Sequence, residues 1–184
     1  MSIRVSIDAS GGDFGFSVTI NAGISALKTY DDLLINFVGD EAGIKNELNK
    51  NSSYSNFADR IDVTHASEVI NMSDSPSVAL RHKKDSSMRI AINLVKNGDA
   101  DACVSAGNTG ALMSIARFVL KTIKGVDRPA IMSAVPTLTG PTHVLDLGAN
   151  IDSRPSTLLQ FAIMGSIAVQ NTENIENPSV GLLN

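Results

Sequence analysis

Ile3-Arg4-Val5-Ser6-Ile7-Asp8 alternates apolar and polar side chains, and Ala9-Ser10-Gly11-Gly12-Asp13-Phe14-Gly15 leads from it into a helical stretch at about 17–28. Alternation of period two marks a strand, and the glycines allow a tight turn before the helix, so the chain opens with one strand–turn–helix unit. A second unit begins at Leu33-Leu34-Ile35-Asn36-Phe37-Val38, a mostly apolar run expected of a strand covered on both faces; Gly39-Asp40 then opens a short polar helix. Strands alternating with helices place a mostly parallel sheet between helical layers. The fold class is α/β, a layered α/β/α arrangement.

Residues 49–56, rich in Asn and Ser, read as a surface loop ahead of a strand at 61–65. A long helical region with a break at Asp85-Ser86-Ser87 leads to a carboxyl cap at Asn97-Gly98 and a strand at 102–106. The pattern predicts a helix at 109–123, and strands at 130–135 and 143–147 joined as a hairpin through the Pro- and Thr-rich turn 136–142. Pro155 starts a helix to about residue 170, with Leu158, Leu159, Ala162, Ile163 and Ile167 spaced to form an apolar face. Val180-Gly181-Leu182-Leu183-Asn184 reads as the start of another buried strand.

At 184 residues and 43% apolar content the chain suffices for one domain with a real core. Its 19 acidic against 15 basic side chains give a net charge of −4, so no global positive field draws it to nucleic acid. The single cysteine, Cys103, excludes a disulfide framework and a multi-cysteine zinc site, and His65, His82 and His143 lack metal-ligand spacing, so no metal is expected. Arg4 and the early glycine turn argue against a secretory signal, and the apolar stretch 158–169 is too short to cross a bilayer. A cytoplasmic location is expected.

The sharpest local signal for chemistry is Ser105-Ala106-Gly107-Asn108-Thr109-Gly110, set between an apolar strand and an apolar helix. Unpaired N–H groups and the positive end of the helix dipole point outward at such a junction, and glycines let an anion approach the backbone closely. Hydroxyls of Ser105 and Thr109 add donors. The same residues also make a plain tight turn in which Thr109 caps the helix. Asp8 and Asp13 flank Gly11 and Gly12 at the carboxyl end of the first strand, where open α/β sheets bind ligands, although Asp and Gly are ordinary turn residues too. Neither glycine loop has the G-x-G-x-x-G dinucleotide spacing, and no phosphate-binding G-x-x-x-x-G-K-S/T occurs. Arg81, Lys83, Lys84 and Arg89 put four of the 15 basic residues into nine positions against the single Asp85, either an anion-facing cluster or a solvated helix face. Asp146-Leu147-Gly148-Ala149-Asn150 closes a further strand with turn-type residues, and Cys103 reads as buried packing.

Taken together, Asp8 to Gly15, the stretch from Ser75 through Met88, Ser105 to Ala111, Arg128-Pro129, Asp146 to Asn150, Leu159-Gln160-Phe161-Ala162 with Met164-Gly165-Ser166, and Glu176-Asn177-Pro178 with Val180 to Asn184 resemble the bacterial phosphate acyltransferase family of phospholipid synthesis, PlsX. The resemblance implies transfer of a fatty acyl group from acyl carrier protein to inorganic phosphate, with no cofactor. The acyl phosphate formed would feed the membrane acyltransferase that acylates glycerol 3-phosphate. It also implies a fold similar to phosphotransacetylases and isocitrate/isopropylmalate dehydrogenases, a homodimer, and peripheral contact with the membrane. Family chains are nearly twice as long, so residues 1–184 are expected to be the amino-terminal part of a single catalytic unit. Within that reading, Gly107 and Gly110, with Gly11 and Gly12, let phosphate approach the backbone. Ser105 and Thr109 add hydrogen bonds, Asp13 and Asn108 orient donors, and Arg81, Lys83 and Lys84 contact phosphate or the carrier. A phosphotransacetylase-like enzyme using acyl-coenzyme A and a noncatalytic anion- or acyl-binding module are the alternatives, ahead of a dehydrogenase.

Overall fold

The computed structural model describes residues 2–138, 140–150 and 152–183. The chain forms two compact units, Met1–Lys121 and Thr122–Asn184.

In the first unit β1 (Ile3–Asp8), β2 (Leu33–Gly39), β3 (Ile61–His65) and β4 (Ala102–Ser105) form a fully parallel sheet in the order β3-β2-β1-β4. Helices α1 (Phe16–Thr29) and α2 (Glu41–Lys50) follow β1 and β2; α3 (Pro76–His82) and α4 (Ser87–Asn97) lie between β3 and β4; and α5 (Thr109–Leu120) follows β4. Alternation along the strands sorts the two sheet faces. Ile35 and Phe37 of β2 pack with Ile20, Ile24 and Leu27 of α1 and with Ile44 and Leu48 of α2. Their neighbours Ser6, Asp8, Asn36 and Val38, all buried, belong to the opposite face, where the Ser6 hydroxyl donates to the Ala91 carbonyl of α4 at 2.9 Å. Burying the Phe37 side chain alone contributes roughly 1.5–3 kcal/mol.

Helix boundaries follow local chemistry. Asp40 caps α2 by accepting from Gly43 N–H at 2.8 Å, Ser75 caps α3 ahead of Pro76, and Ser86 caps α4. The expected break at Asp85-Ser86-Ser87 is thus a change of helix. Gly98 closes α4 with φ 82, the left-handed conformation that favours glycine. The Arg60 guanidinium, stacked on Phe57, donates to the carbonyls of Leu27, Tyr30 and Asp31 and so satisfies the carboxyl end of α1.

Four expectations shift. Residues 49–56 hold the end of α2 and a single 3-10 turn, Tyr54–Asn56. Helix α5 ends at Leu120 instead of 123, because Lys121 takes φ 69 and ψ −176, outside the helical region. Its cap is Asn108, whose side chain accepts from Ala111 N–H at 3.0 Å, with Thr109 already inside the helix. β4 stops at Ser105.

In the second unit β5 (Met132–Thr137) and β6 (Gly140–Leu145) pair antiparallel, as expected of a hairpin, but both strands lie two to three residues nearer the turn than 130–135 and 143–147. Pro136 sits opposite Pro141 inside the ladder. Both strands of a two-stranded ladder are edges, where proline is tolerated. Thr139, in the expected turn, lies outside the described residues. Asp146 holds the end of the hairpin by accepting from Ile131 N–H at 2.8 Å and from the Asn150 backbone and side chain at 2.8 and 2.9 Å. Burial alone would raise its pKa, but these donors hold it below the ordinary carboxylate value. Helix α6 (Pro155–Glu173) starts at the expected proline, yet it buries Phe161 and Val169, while Leu159, Ile163 and Ile167 are all more than half exposed. Residues 180–183 form no strand, and Val180, Leu182 and Leu183 are exposed; Asn184 lies outside the described residues. No helix among the described residues is long and apolar enough to cross a membrane.

Candidate active site

Parallel pairing sets Asp8, the last residue of β1, beside Ser105, the last of β4. The carboxyl edge of the sheet therefore gathers both glycine loops, which is where open α/β sheets place ligands. Asp8 is 1% exposed. Its Oδ1 accepts the Ser87 hydroxyl and its Oδ2 the Ser105 hydroxyl, each at 2.6 Å. Burial raises the Asp8 pKa, opposed in turn by the Ser105 and Ser87 hydroxyls and by the Gly11 and Ser10 N–H groups. A carboxylate only accepts, so both serine protons point inward at it, and the Ser105 oxygen turns a lone pair to Gly107 N–H at 3.1 Å. A chain of hydrogen bonds runs from α4 through Asp8 and Ser105 to the backbone of the second loop.

The two loops touch. A Cβ added to Gly11 would lie 2.6 Å from Asp8 Oδ2 and 3.1 Å from Gly107 N, and one added to Gly12 would lie 3.1 Å from the Ala106 carbonyl. Gly12 also takes φ 85, so both its space and its backbone require glycine. Gly107 itself has no positive φ; its constraint is the Met88 methyl, 3.0 Å from where a Cβ would sit.

Asn108 does two things. Its carbonyl caps α5, and its amide nitrogen donates to the carbonyls of Met72 and Asp74 at 2.9 Å and of Asn71 at 3.4 Å. It thereby ties loop 71–75 to the start of α5, where Gly110 leaves room for Pro76 of α3: a Cβ there would approach Pro76 to 2.9 Å. Lys83 secures the same loop from the other side, its Nζ 2.7 Å from Asp74 Oδ2 and 2.6 Å from the Val69 carbonyl. The Lys83 bond, then the Asn71 N–H, hold Asp74 below the ordinary carboxylate value.

The structure thus brings Gly11, Gly12, Ser105, Gly107, Asn108, Thr109 and Gly110 together at one edge. Asp13 stands exposed on the first loop, and Arg81 and Lys84 are exposed on and just after α3. Lys83 differs from Lys84: its charge is already met by Asp74. Gly107 N–H is engaged by Ser105, whereas the N–H groups of Asn108, Thr109 and Gly110 meet no acceptor among the described residues. Those three amides stand at the positive end of α5, the kind of place where an anion is favoured. Asp8, a candidate from its place at the end of the first strand, is joined here to Ser87, which sequence spacing leaves unassigned to the site. The signal is faint: Arg4, Ser6 and Asp8 alternate on one side of β1 as in any half-exposed strand, and only the structure shows Ser6 and Asp8 to be buried.

Cys103 is half-buried against the cores beside α4 and α5, and its partial burial pushes its thiol up to about 11, far from the reactive range. No group of three metal-ligating side chains occurs among the described residues.

Residues 3–184 match the family described as fatty acid synthesis protein. The chain belongs to the fatty acid synthesis protein family. The phosphate acyltransferase of Ruthia magnifica subsp. Calyptogena magnifica is 65% identical over 184 residues, which are all of this chain and 54% of that protein. The phosphate acyltransferase of Methylococcus capsulatus (strain ATCC 33009 / NCIMB 11132 / Bath) is 57% identical over 180 residues, 98% of this chain and 52% of the relative. That of Legionella pneumophila (strain Paris) is 55% identical over 183 residues, all of this chain and 53% of the relative. The chain spans about half the length of these relatives. Every element of the carboxyl edge falls within the part matched to the fatty acid synthesis protein family, which agrees with the resemblance read from the motifs.

Proposed function

We propose that this chain supplies the phosphate-facing part of a site that moves a fatty acyl group from the thioester of acyl carrier protein onto inorganic phosphate, releasing acyl phosphate and the carrier thiol. The observation that carries the reading is the cluster of unclaimed amides on Asn108, Thr109 and Gly110, held rigid from behind by Asn108 and flanked by the Gly11-Gly12 loop. The names of the relatives support an acyl transfer with phosphate.

The chemistry asks little of a protein nucleophile. A phosphate oxygen attacks the thioester carbonyl, a C–O bond forms, the carbonyl electrons pass to oxygen, and their return breaks the C–S bond. The departing thiolate has a conjugate acid with a pKa of about 8.5, so it leaves without prior protonation. The site has to hold the attacking anion and stabilise the oxyanion. Preorganised N–H donors do this without reorganising, each worth about 3–4 kcal/mol in barrier height. Asp8 takes no part in bond changes in this scheme. It keeps Ser105 turned toward Gly107, and so sets the plane of the peptide that leads into the amide cluster.

Acyl hydroxamate trapping tests the reading, run on the chain joined to the carboxyl-terminal residues its relatives carry. Hydroxamate formed from acyl carrier protein only when phosphate is added supports it. Equal product without phosphate, or product that requires acyl-coenzyme A, sinks it.

A further inference from the structure

Helices α3, α4 and α5 contain Arg81, His82, Arg89, Lys96 and Arg117 and no Asp or Glu. On the other side of the same sheet, α2 pairs Lys45 with Glu41 and Lys50 with Glu47. A solvated helix face normally mixes charges as α2 does. α1 lacks carboxylates too, so what sets α3 to α5 apart is the number of cations they carry, with Asp74, Asp85, Asp99 and Asp101 confined to the adjoining loops. Near the end of α5 lies Phe118, 53% exposed, with the Arg89 guanidinium carbon 5.3 Å and the Lys121 ammonium 4.8 Å from the ring centroid. The ring fixes both cations in place, which lowers the entropy lost when they meet an anion. Neither Arg89 nor Lys121 has an anionic partner among the described residues. Arg89 is two positions beyond Ser87, whose hydroxyl grips Asp8, so Arg89 starts in the first turn of α4 near the carboxyl edge of the sheet, and Phe118 and Lys121 carry the surface away from it along the end of α5.

We propose that Arg89, Phe118 and Lys121 form the docking surface for an acidic carrier protein that presents the thioester; the proposal rests on the acyl-transfer reading above. Positive charge on rigid helices meets a helical acidic surface, and the exposed ring supplies an apolar centre of the kind that anchors protein interfaces. Arg81 and Lys84 extend the positive field, while Lys83 belongs to the loop that Asp74 holds.

The test titrates the 184-residue chain with acyl carrier protein, following binding by heteronuclear NMR at low and raised salt. Binding that weakens as salt rises, and that falls by about tenfold in Arg89→Glu with Lys121→Glu, is the expected result. Lys28→Glu on α1 gives a control matched in charge to Arg89→Glu or Lys121→Glu alone, each of which is measured as well, and thermal melts confirm that all variants fold. Phe118→Ala, which leaves the charges, should also weaken binding. No binding, or equal loss in the Lys28 control, overturns the proposal. So does tighter binding to vesicles of anionic lipid than to the carrier, abolished by the same charge reversals. Failure of the acyl-transfer reading shows separately: hydroxamate then fails to form in the extended chain while carrier binding and its dependence on Arg89 and Lys121 persist.

Discussion

The two faces of the parallel sheet are built from the same alternating strands and reach opposite ends. Toward α1 and α2 the strands turn Ile35 and Phe37, and the helices answer with Ile20, Ile24, Leu27, Ile44 and Leu48. This side is apolar but for Thr19, whose buried hydroxyl donates to the Ala9 carbonyl, and the α2 charges above it pair with one another. Toward α4 the same strands turn Ser6, Asp8 and Asn36, and the layer above is built with small residues such as Ala79, Ala91 and Ala111 beside Met88 and Ile92. Both faces bury large apolar side chains, Met88, Ile92 and Ile115 among them on the second, but only the second also buries a carboxylate hydrogen-bonded toward a loop. The buried polar network is thus confined to one side of the sheet, and the apolar packing of β2 against α1 and α2 to the other.

The sharpest way to break that division is Phe37→Ala. Phe37 is fully buried, and its removal should destabilise the chain by about 3–5 kcal/mol in denaturant unfolding, with phosphate affinity preserved in the fraction that stays folded. Affinity lost in proportion to fold would show the two faces to be one cooperative unit with no division of labour.

Asp8→Asn probes the other side. An amide nitrogen facing Ser105 would donate where the carboxylate accepts, so the hydroxyl proton must leave its present direction and the Gly107 contact weakens. We expect phosphate affinity, read by NMR titration, to fall by about tenfold. Stability should respond with a definite sign. Because burial raises the Asp8 pKa, its contribution is fully present below the ordinary value of 3.8 and is lost as pH rises through the folded value. The Asp8→Asn variant lacks that loss, so its stability relative to the parent should improve as pH rises. A relative stability independent of pH would count against the buried-carboxylate account.

Gly107→Val forces a side chain against the Met88 methyl and the Ser105 oxygen, 3.0 and 3.2 Å from the ideal Cβ. The cost should be about 1–3 kcal/mol of stability, with anion affinity reduced beyond what the melting shift explains. Melting and titration measured together separate the parts, and a loss confined to stability would remove this loop from the site.

The smallest effect compares neighbours. Lys83→Ala should lower the melting temperature slightly and perturb the amide resonances of loop 71–75, whereas Lys84→Ala should leave both unchanged. Asp74, held low by Lys83, contributes stability above the ordinary carboxylate value that is lost as pH falls through its folded value, so the Lys83 effect should fade in acid. Identical behaviour of the two lysines would return the whole cluster to a solvated face.

Much of this was legible where the cause is local. The strand at Ile61–His65, the cap at Gly98 and the helix starting at Pro155 each rest on a few adjacent residues whose backbone preferences agree. The hairpin was legible as a pair of strands and not in its placement, because proline reads as a turn residue unless one knows that both strands are edges. The apolar stripe Leu159, Ile163 and Ile167 is periodic, yet periodicity does not say whether a neighbour covers it; here α6 buries Phe161 and Val169. For the site, the glycine loops were visible as loops. The link between them was not, since Ser87 and Ser105 stand 79 and 97 positions from the carboxylate they share.

The sequence by itself determined the alternation of strand and helix, the glycine turns and the anion-ready start of α5, because dihedral preference and capping act over about three or four residues. Only the tertiary structure decided that Asp8 is buried, that Lys83 is spent on Asp74 while Lys84 is free of it, and that Asn108 holds a loop 34 to 37 positions away. Those outcomes depend on parallel pairing, which sets Asp8 beside Ser105 and brings distant polar groups into a space with little water. There each donor must find an acceptor, and which one it finds is settled by where the strands end.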